Sequence, residues 1–215
     1  MGRLVGLVTG ALLMMHAAAI AQSAPKKVRI VALGDSLTAG YNLRPNEAFP
    51  VQLEAALRKR GLDVEVLNAG VSGDTAQAGL ERLDWALPQG TDAVILELGA
   101  NDALRGLDPA ATRRALDTIL NRLKQRGIDV LIAGMEAPRN LGPDYTRAFN
   151  AIHPELAKAH GALLYPFFLK GVALDPKLNL ADGLHPTANG VAIIVESIMP
   201  DVLELVAKVR KRQGA

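Results

Sequence analysis

The stretch Val28 to Tyr41 reads VRIVALGDSLTAGY. Its first six residues, interrupted only by Arg29, have the length and β-branched content of a buried strand. The run stops abruptly at Gly34-Asp35-Ser36. Two readings fit that stop. Asp and Ser cap helices, so the loop is consistent with an ordinary helix start after a strand. A hydroxyl at the carboxyl edge of a sheet is also where open α/β sheets carry their chemistry. The rest of the chain has to decide between them.

Working outward, similar apolar runs occur near 63–67, 92–98 and 128–133, with a shorter one near 162–166. Helical patterns lie between them. Residues 46–60 place Phe49, Leu53, Ala56 and Leu57 on one face and stop at Gly61. Further helices are expected over 75–87 before Pro88, over 108–126 after the Asp108-Pro109 start, and over 143–160 up to Gly161. A last one follows Pro186 to about Arg210. Strands alternating with amphipathic helices imply right-handed βαβ units, a parallel sheet and helices on both faces. The expected fold class is α/β, a three-layer α/β/α sandwich.

The 215 residues contain no internal repeat, and 49% are hydrophobic, which suits one domain with a substantial core. Residues 1–21 differ from the rest. Arg3 is followed by an apolar run from Leu4 to Ile20, and Ala19-Ile20-Ala21 offers small residues where a signal peptidase reads. The reading is a signal peptide over 1–21, cleaved after Ala21, with the domain over 22–215. The run is short for a membrane span, so no stable membrane insertion is expected. The product would be exported, periplasmic or secreted.

Lys+Arg number 24 and Asp+Glu 22, which gives no field for nucleic acid. The one basic cluster, Lys208 to Arg212, reads as the cationic end of a helix. There is no cysteine, so disulfides, thiolate metal sites and a cysteine nucleophile are excluded.

Three strands in succession run into small, polar, turn-forming residues: Gly34-Asp35-Ser36-Leu37, Asn68 to Thr75, and Glu97-Leu98-Gly99-Ala100-Asn101-Asp102. A fourth such loop, Asp182-Gly183-Leu184-His185-Pro186, precedes the last helix. Together they hold a hydroxyl, a base, an acid to orient it and oxyanion donors, the parts of acyl transfer. With His16 in the leader, the candidate bases are His153, His160 and His185. His153 and His160 sit in helical surroundings and read as structural. His185 has Asp182 three residues before it, so the carboxylate can accept from one ring nitrogen and leave the other free for a proton. Asp182 as a mere N-cap of the last helix fits equally at this point. Ser36 is the candidate nucleophile, although Thr38 breaks the Gly-x-Ser-x-Gly pattern of α/β-hydrolases. The candidate oxyanion donors are the backbone N–H groups of Ser36 and Gly73 and the side-chain amide of Asn101. Gly73 as a turn glycine and Asn101 as a residue tolerating a left-handed backbone are the plain alternatives.

These four blocks, in this order, resemble those of the SGNH (GDSL) hydrolases, and the likeness runs from Arg29 to about Pro200. Within that family the stretches Gly34 to Tyr41, Ser72 to Thr75, Leu96 to Asp102, Leu104 to Gly106 and Tyr165 to Phe168 resemble the bacterial periplasmic thioesterase/lysophospholipase/arylesterase branch. The resemblance implies a flavodoxin-like sandwich with a five-stranded parallel sheet, and no metal or cofactor. It implies Ser36, Asp182 and His185 as the triad, with Ser36, Gly73 and Asn101 forming the oxyanion hole. Ala100 stands where that branch often has glycine, a departure expected to alter the loop and the acyl preference. The implied substrates are small acyl esters, thioesters or lysophospholipids. A carbohydrate O-acetylesterase and a non-catalytic lipid-binding module are the competing readings. Asp35 is left as a turn-stabilising acid.

Overall fold

The computed structural model describes Gly2 and residues 26–214. Apart from Gly2, the expected leader over 1–21 lies outside the described residues. Five strands form one parallel sheet: β1 (Val28–Gly34), β2 (Val64–Gly70), β3 (Ala93–Glu97), β4 (Asp129–Ala133) and β5 (Leu163–Tyr165). Their spatial order is β2-β1-β3-β4-β5, the flavodoxin-like arrangement, and its switch point lies between β1 and β3. No helix among the described residues is long and apolar enough to cross a membrane.

The helices are α1 (Ser36–Ala39), α2 (Phe49–Lys59), α3 (Ala76–Glu81), α4 (Leu83–Ala86), α5 (Ala100–Leu104), α6 (Pro109–Gln125), α7 (Pro143–Asn150), α8 (Ile152–His160) and α9 (Ala188–Gln213). On one face of the sheet pack α2 and α9, on the other α3, α6 and α8. With both faces covered, the central strands are apolar almost throughout: Val28, Ile30, Val31, Leu33, Val94, Ile95 and Leu131 are fully buried.

Two expected helices are each divided. The pattern over 75–87 breaks at Arg82, whose side chain turns inward instead of continuing the surface face. The pattern over 143–160 breaks at Ala151. Pro154 lacks an N–H and is tolerated only in a first turn, and restarting the helix at Ile152 puts it there. The helix expected from Asn46 begins instead as a 3₁₀ turn over Pro45–Glu47 before α2.

At its carboxyl end β1 is squeezed between neighbours. Gly34 is in register with Gly70 on one side and Glu97 on the other. A Cβ on Gly34 would lie 2.1 Å from Thr38 Oγ1 and 2.7 Å from the Glu97 carbonyl oxygen. Gly34 is needed for close approach, since its φ is not positive.

Candidate active site

Ser36 is the first residue of α1, immediately beyond the end of β1. Asp35 caps this short helix, its Oδ1 accepting the Leu37 N–H at 2.9 Å. The cap fixes the turn and lifts Ser36 to the sheet edge. As an initial helix residue, Ser36 has no intrahelical acceptor for its own N–H.

His185 lies in the loop before α9. Its Nδ1 is 2.8 Å from Asp182 Oδ2, and its Nε2 is 3.0 Å from Ser36 Oγ. An acid acceptor at Nδ1 selects the tautomer with the proton there, which leaves Nε2 to accept from the serine hydroxyl. Asp182 is not the N-cap of α9, a task that falls to Thr187. Its Oδ1 instead accepts the N–H groups of Leu184 (2.9 Å) and His185 (3.0 Å). Those two bonds, together with the imidazole, hold the Asp182 carboxyl down at about 2. On the other side, the ring of Tyr41 lies against the imidazole, with centroids 4.4 Å apart.

Asn101 is the second residue of α5. The left-handed turn before that helix is made by Gly99 (φ 116°), so Ala100 sits in helical geometry without strain. The amide Nδ2 of Asn101 donates to Asp35 Oδ2 (3.1 Å) and to the Asp74 carbonyl (3.0 Å). The second bond draws the loop after β2 against Asn101. Gly73, with φ 89°, stands next to Asp74 and turns its carbonyl to Arg105 (2.9 Å). Its N–H donates to no protein atom among the described residues.

The other two histidines are accounted for within the fold. His153 is buried, donates from Nε2 to the Leu98 carbonyl (3.1 Å), and is pushed toward its neutral form by burial. His160 Nε2 is 2.7 Å from Asp117 Oδ1.

Ser36, Asn101 and His185 line one cleft of about 920 Å³, near the upper end of the range of small-molecule sites. Leu104, Met135, Ala137, Leu141, Phe167 and Leu174 make much of its wall apolar. Gly73 contributes no atom to that wall. Among the described residues, no group of three or more His, Cys, Asp or Glu side chains is placed to hold a metal ion.

Three features were not foreseen from the sequence. Asp35 and Glu97 are fully buried side by side beneath Ser36, and burial raises Asp35 to about 6 and Glu97 well above the usual carboxylate range. Arg82 and Asp74 form a buried ion pair, and the Arg82 guanidinium also donates to the Gly34 carbonyl at 2.9 Å. The third feature is Tyr41 against His185. For Glu97 alone there was a signal, an acid inside an otherwise apolar strand.

The GDSL-like Lipase/Acylhydrolase family matches residues 32–193. An arylesterase of Vibrio mimicus is 38% identical over 177 residues, 82% of this chain and 88% of that protein. The thioesterase 1/protease 1/lysophospholipase L1 of Escherichia coli K12 is 38% identical over 178 residues, 82% and 84% of the two chains. The crystal structure of the esterase AlinE4 is 46% identical, with a TM-score of 0.71 over 85% of this chain and 98% of that one. The chain belongs to the GDSL-like lipase/acylhydrolase family, the SGNH hydrolases, and is a carboxylic ester hydrolase with a serine nucleophile.

Proposed function

We propose that Ser36 is that nucleophile, His185 its general base and Asp182 the acid that orients His185. The observation carrying this is the unbroken chain Ser36 Oγ–His185–Asp182, at 3.0 and 2.8 Å, on the wall of an apolar cleft. The Ser36 oxygen attacks the acyl carbonyl while its proton passes to His185 Nε2. The carbonyl oxygen becomes an oxyanion, which takes hydrogen bonds from the Ser36 N–H and the Asn101 amide, both on the cleft wall, and from the Gly73 N–H beside that wall, which donates to no protein atom among the described residues. Collapse of that intermediate breaks the ester bond, and His185 returns the proton to the leaving group. Water, deprotonated by the same imidazole, then cleaves the acyl-serine. The imidazole must be neutral to begin each step.

The substrate is proposed to be an acyl ester, thioester or lysophospholipid whose acyl chain lies along the Leu104–Leu141–Leu174 wall. Carbohydrate O-acetyl esters are the weaker alternative. Of the Phe, Trp and Tyr residues only Phe167 lines the cleft, which leaves no paired aromatic platform for a sugar ring. A lipid-binding module without turnover has no need of the aligned hydroxyl, imidazole and carboxylate. We further propose export, from the leader-like residues 1–21, which favours oxygen esters over acyl-coenzyme A.

The test is Ser36→Ala, assayed on aryl esters of increasing chain length beside an acetylated sugar and a lysophospholipid. Turnover is expected to fall by about 10⁴-fold or more with the fold intact, and an organophosphonate should label the wild-type chain alone. Surviving esterase activity, or labelling of the variant, would overturn the assignment.

A further inference from the structure

Asp35 is the one residue of the β1 loop whose chemistry the mechanism leaves unused. It is fully buried, directly before the proposed nucleophile. Its two oxygens have different tasks: Oδ1 caps α1 at Leu37, and Oδ2 accepts the Asn101 amide at 3.1 Å. A cap alone needs one oxygen, and serine or asparagine supplies it as well. The bond to Asn101 is what the carboxylate adds.

The Asn101 amide carries two N–H groups, and both are engaged within the protein, one by Asp35 and one by the Asp74 carbonyl. An oxyanion must therefore share or take one of them. Hydrogen bonds to an ionised acceptor are roughly twice as strong as neutral ones. The bond to Asp35 is the one that persists, and the Asp74 carbonyl is the partner that yields.

Glu97 supports this arrangement from the far side. It is fully buried at the end of β3, and its Oε2 accepts the Thr38 hydroxyl (2.8 Å) and the Asp35 N–H (3.3 Å). Two carboxyl groups buried together do not both ionise. Glu97 is the more strongly raised of the two, so it keeps the proton and Asp35 carries the charge near neutral pH.

Resting on the reading of Asn101 as an oxyanion donor, we propose that Asp35 is a positioning residue: its buried carboxylate fixes the Asn101 amide in the orientation from which one N–H reaches the oxyanion.

A double-mutant cycle tests it. Asp35→Asn keeps the shape but leaves a single accepting oxygen for two donors. Asp35→Ser keeps the helix cap and is too short to reach Asn101, so it also serves if the first variant folds poorly. Each is made alone and together with Asn101→Ala, and kcat and KM are measured on p-nitrophenyl butyrate beside the melting temperature. Alone, each Asp35 change should lower kcat by about 10- to 100-fold, with KM within about threefold. In the Asn101→Ala background the same change should alter kcat by no more than about twofold. An equal fall in both backgrounds would mean Asp35 acts through the fold, and would overturn the proposal while leaving Asn101 as donor. Unchanged kcat in both Asp35 variants would overturn it as well. If Asn101→Ala alone left kcat unchanged, the donor reading would fall and the positioning role with it.

Discussion

Asp182 serves the site in two ways, and the two can be separated. Oδ2 is bonded to His185 Nδ1, the contact proposed to orient the imidazole, while Oδ1 closes the loop by accepting the Leu184 and His185 N–H groups. Asp182→Asn keeps an oxygen for the loop and presents an N–H to Nδ1, which forces the wrong imidazole tautomer. The variant is expected to lose about 10³- to 10⁴-fold in kcat at pH 7 with little change in melting temperature. A loss below tenfold would show that Asp182 does not orient the base. The Asp182 carboxyl is depressed to about 2 from 3.8, so what it adds to stability is present above about pH 4 and fades toward pH 2. The pairing of Asp182 with His185 was legible because they lie three positions apart. The turn-stabilising part of Asp35 was legible too, as the cap of α1; its contacts with Asn101, 66 positions away, and Glu97, 62 away, were not, because nothing local marks them.

At the scale of elements, the break between α3 and α4 is tied to the site. Arg82 leaves the helical surface pattern to reach Asp74 and the carbonyl of Gly34, so one side chain joins the loop after β2 to the end of β1. Removing one partner of a buried ion pair leaves the other charge uncompensated. Arg82→Met is expected to cost about 3–5 kcal/mol of unfolding free energy, read by urea denaturation. A cost under about 1 kcal/mol would mean the pair is not held as described. Hydrophobic periodicity gave the existence and order of the helices, because burial on the sheet faces imposes it. It passed over the interruptions at Arg82 and Ala151, since the apolar spacing continues across both. Gly34 shows the same limit. Its place before Asp35-Ser36 suggested a turn, whereas the need for glycine comes from Thr38 and Glu97, one turn of helix and one strand away.

Across the whole molecule, the parallel sheet follows from strands apolar on both faces, and the β1/β3 switch point gathers the loops into one site. Strand order itself was not legible from the residues alone, because every strand has the same apolar character, and it rested on the family resemblance. Gathering acids under that site makes stability depend on pH. The carboxyl groups of Asp35 and Glu97 are raised in the folded chain, so the fold binds protons that the unfolded chain releases. Their contribution is complete below about pH 4 and is lost as pH rises through the folded values. His153 acts in the opposite sense: burial depresses it, so stability is lost as pH falls below the ordinary histidine value of 6.5. The two effects oppose each other from about pH 4 to pH 6.5, and Asp35 is half titrated at about pH 6. Glu97 is raised further than Asp35, so its contribution is the last to be lost as pH rises. Unfolding midpoints in urea should therefore fall for the wild-type chain over the interval above pH 6.5, until Glu97 ionises. Glu97→Gln, which keeps an acceptor for Thr38 and cannot ionise, should flatten that slope. A wild-type midpoint constant over the interval, or a variant with the same slope, would place the proton elsewhere than on Glu97.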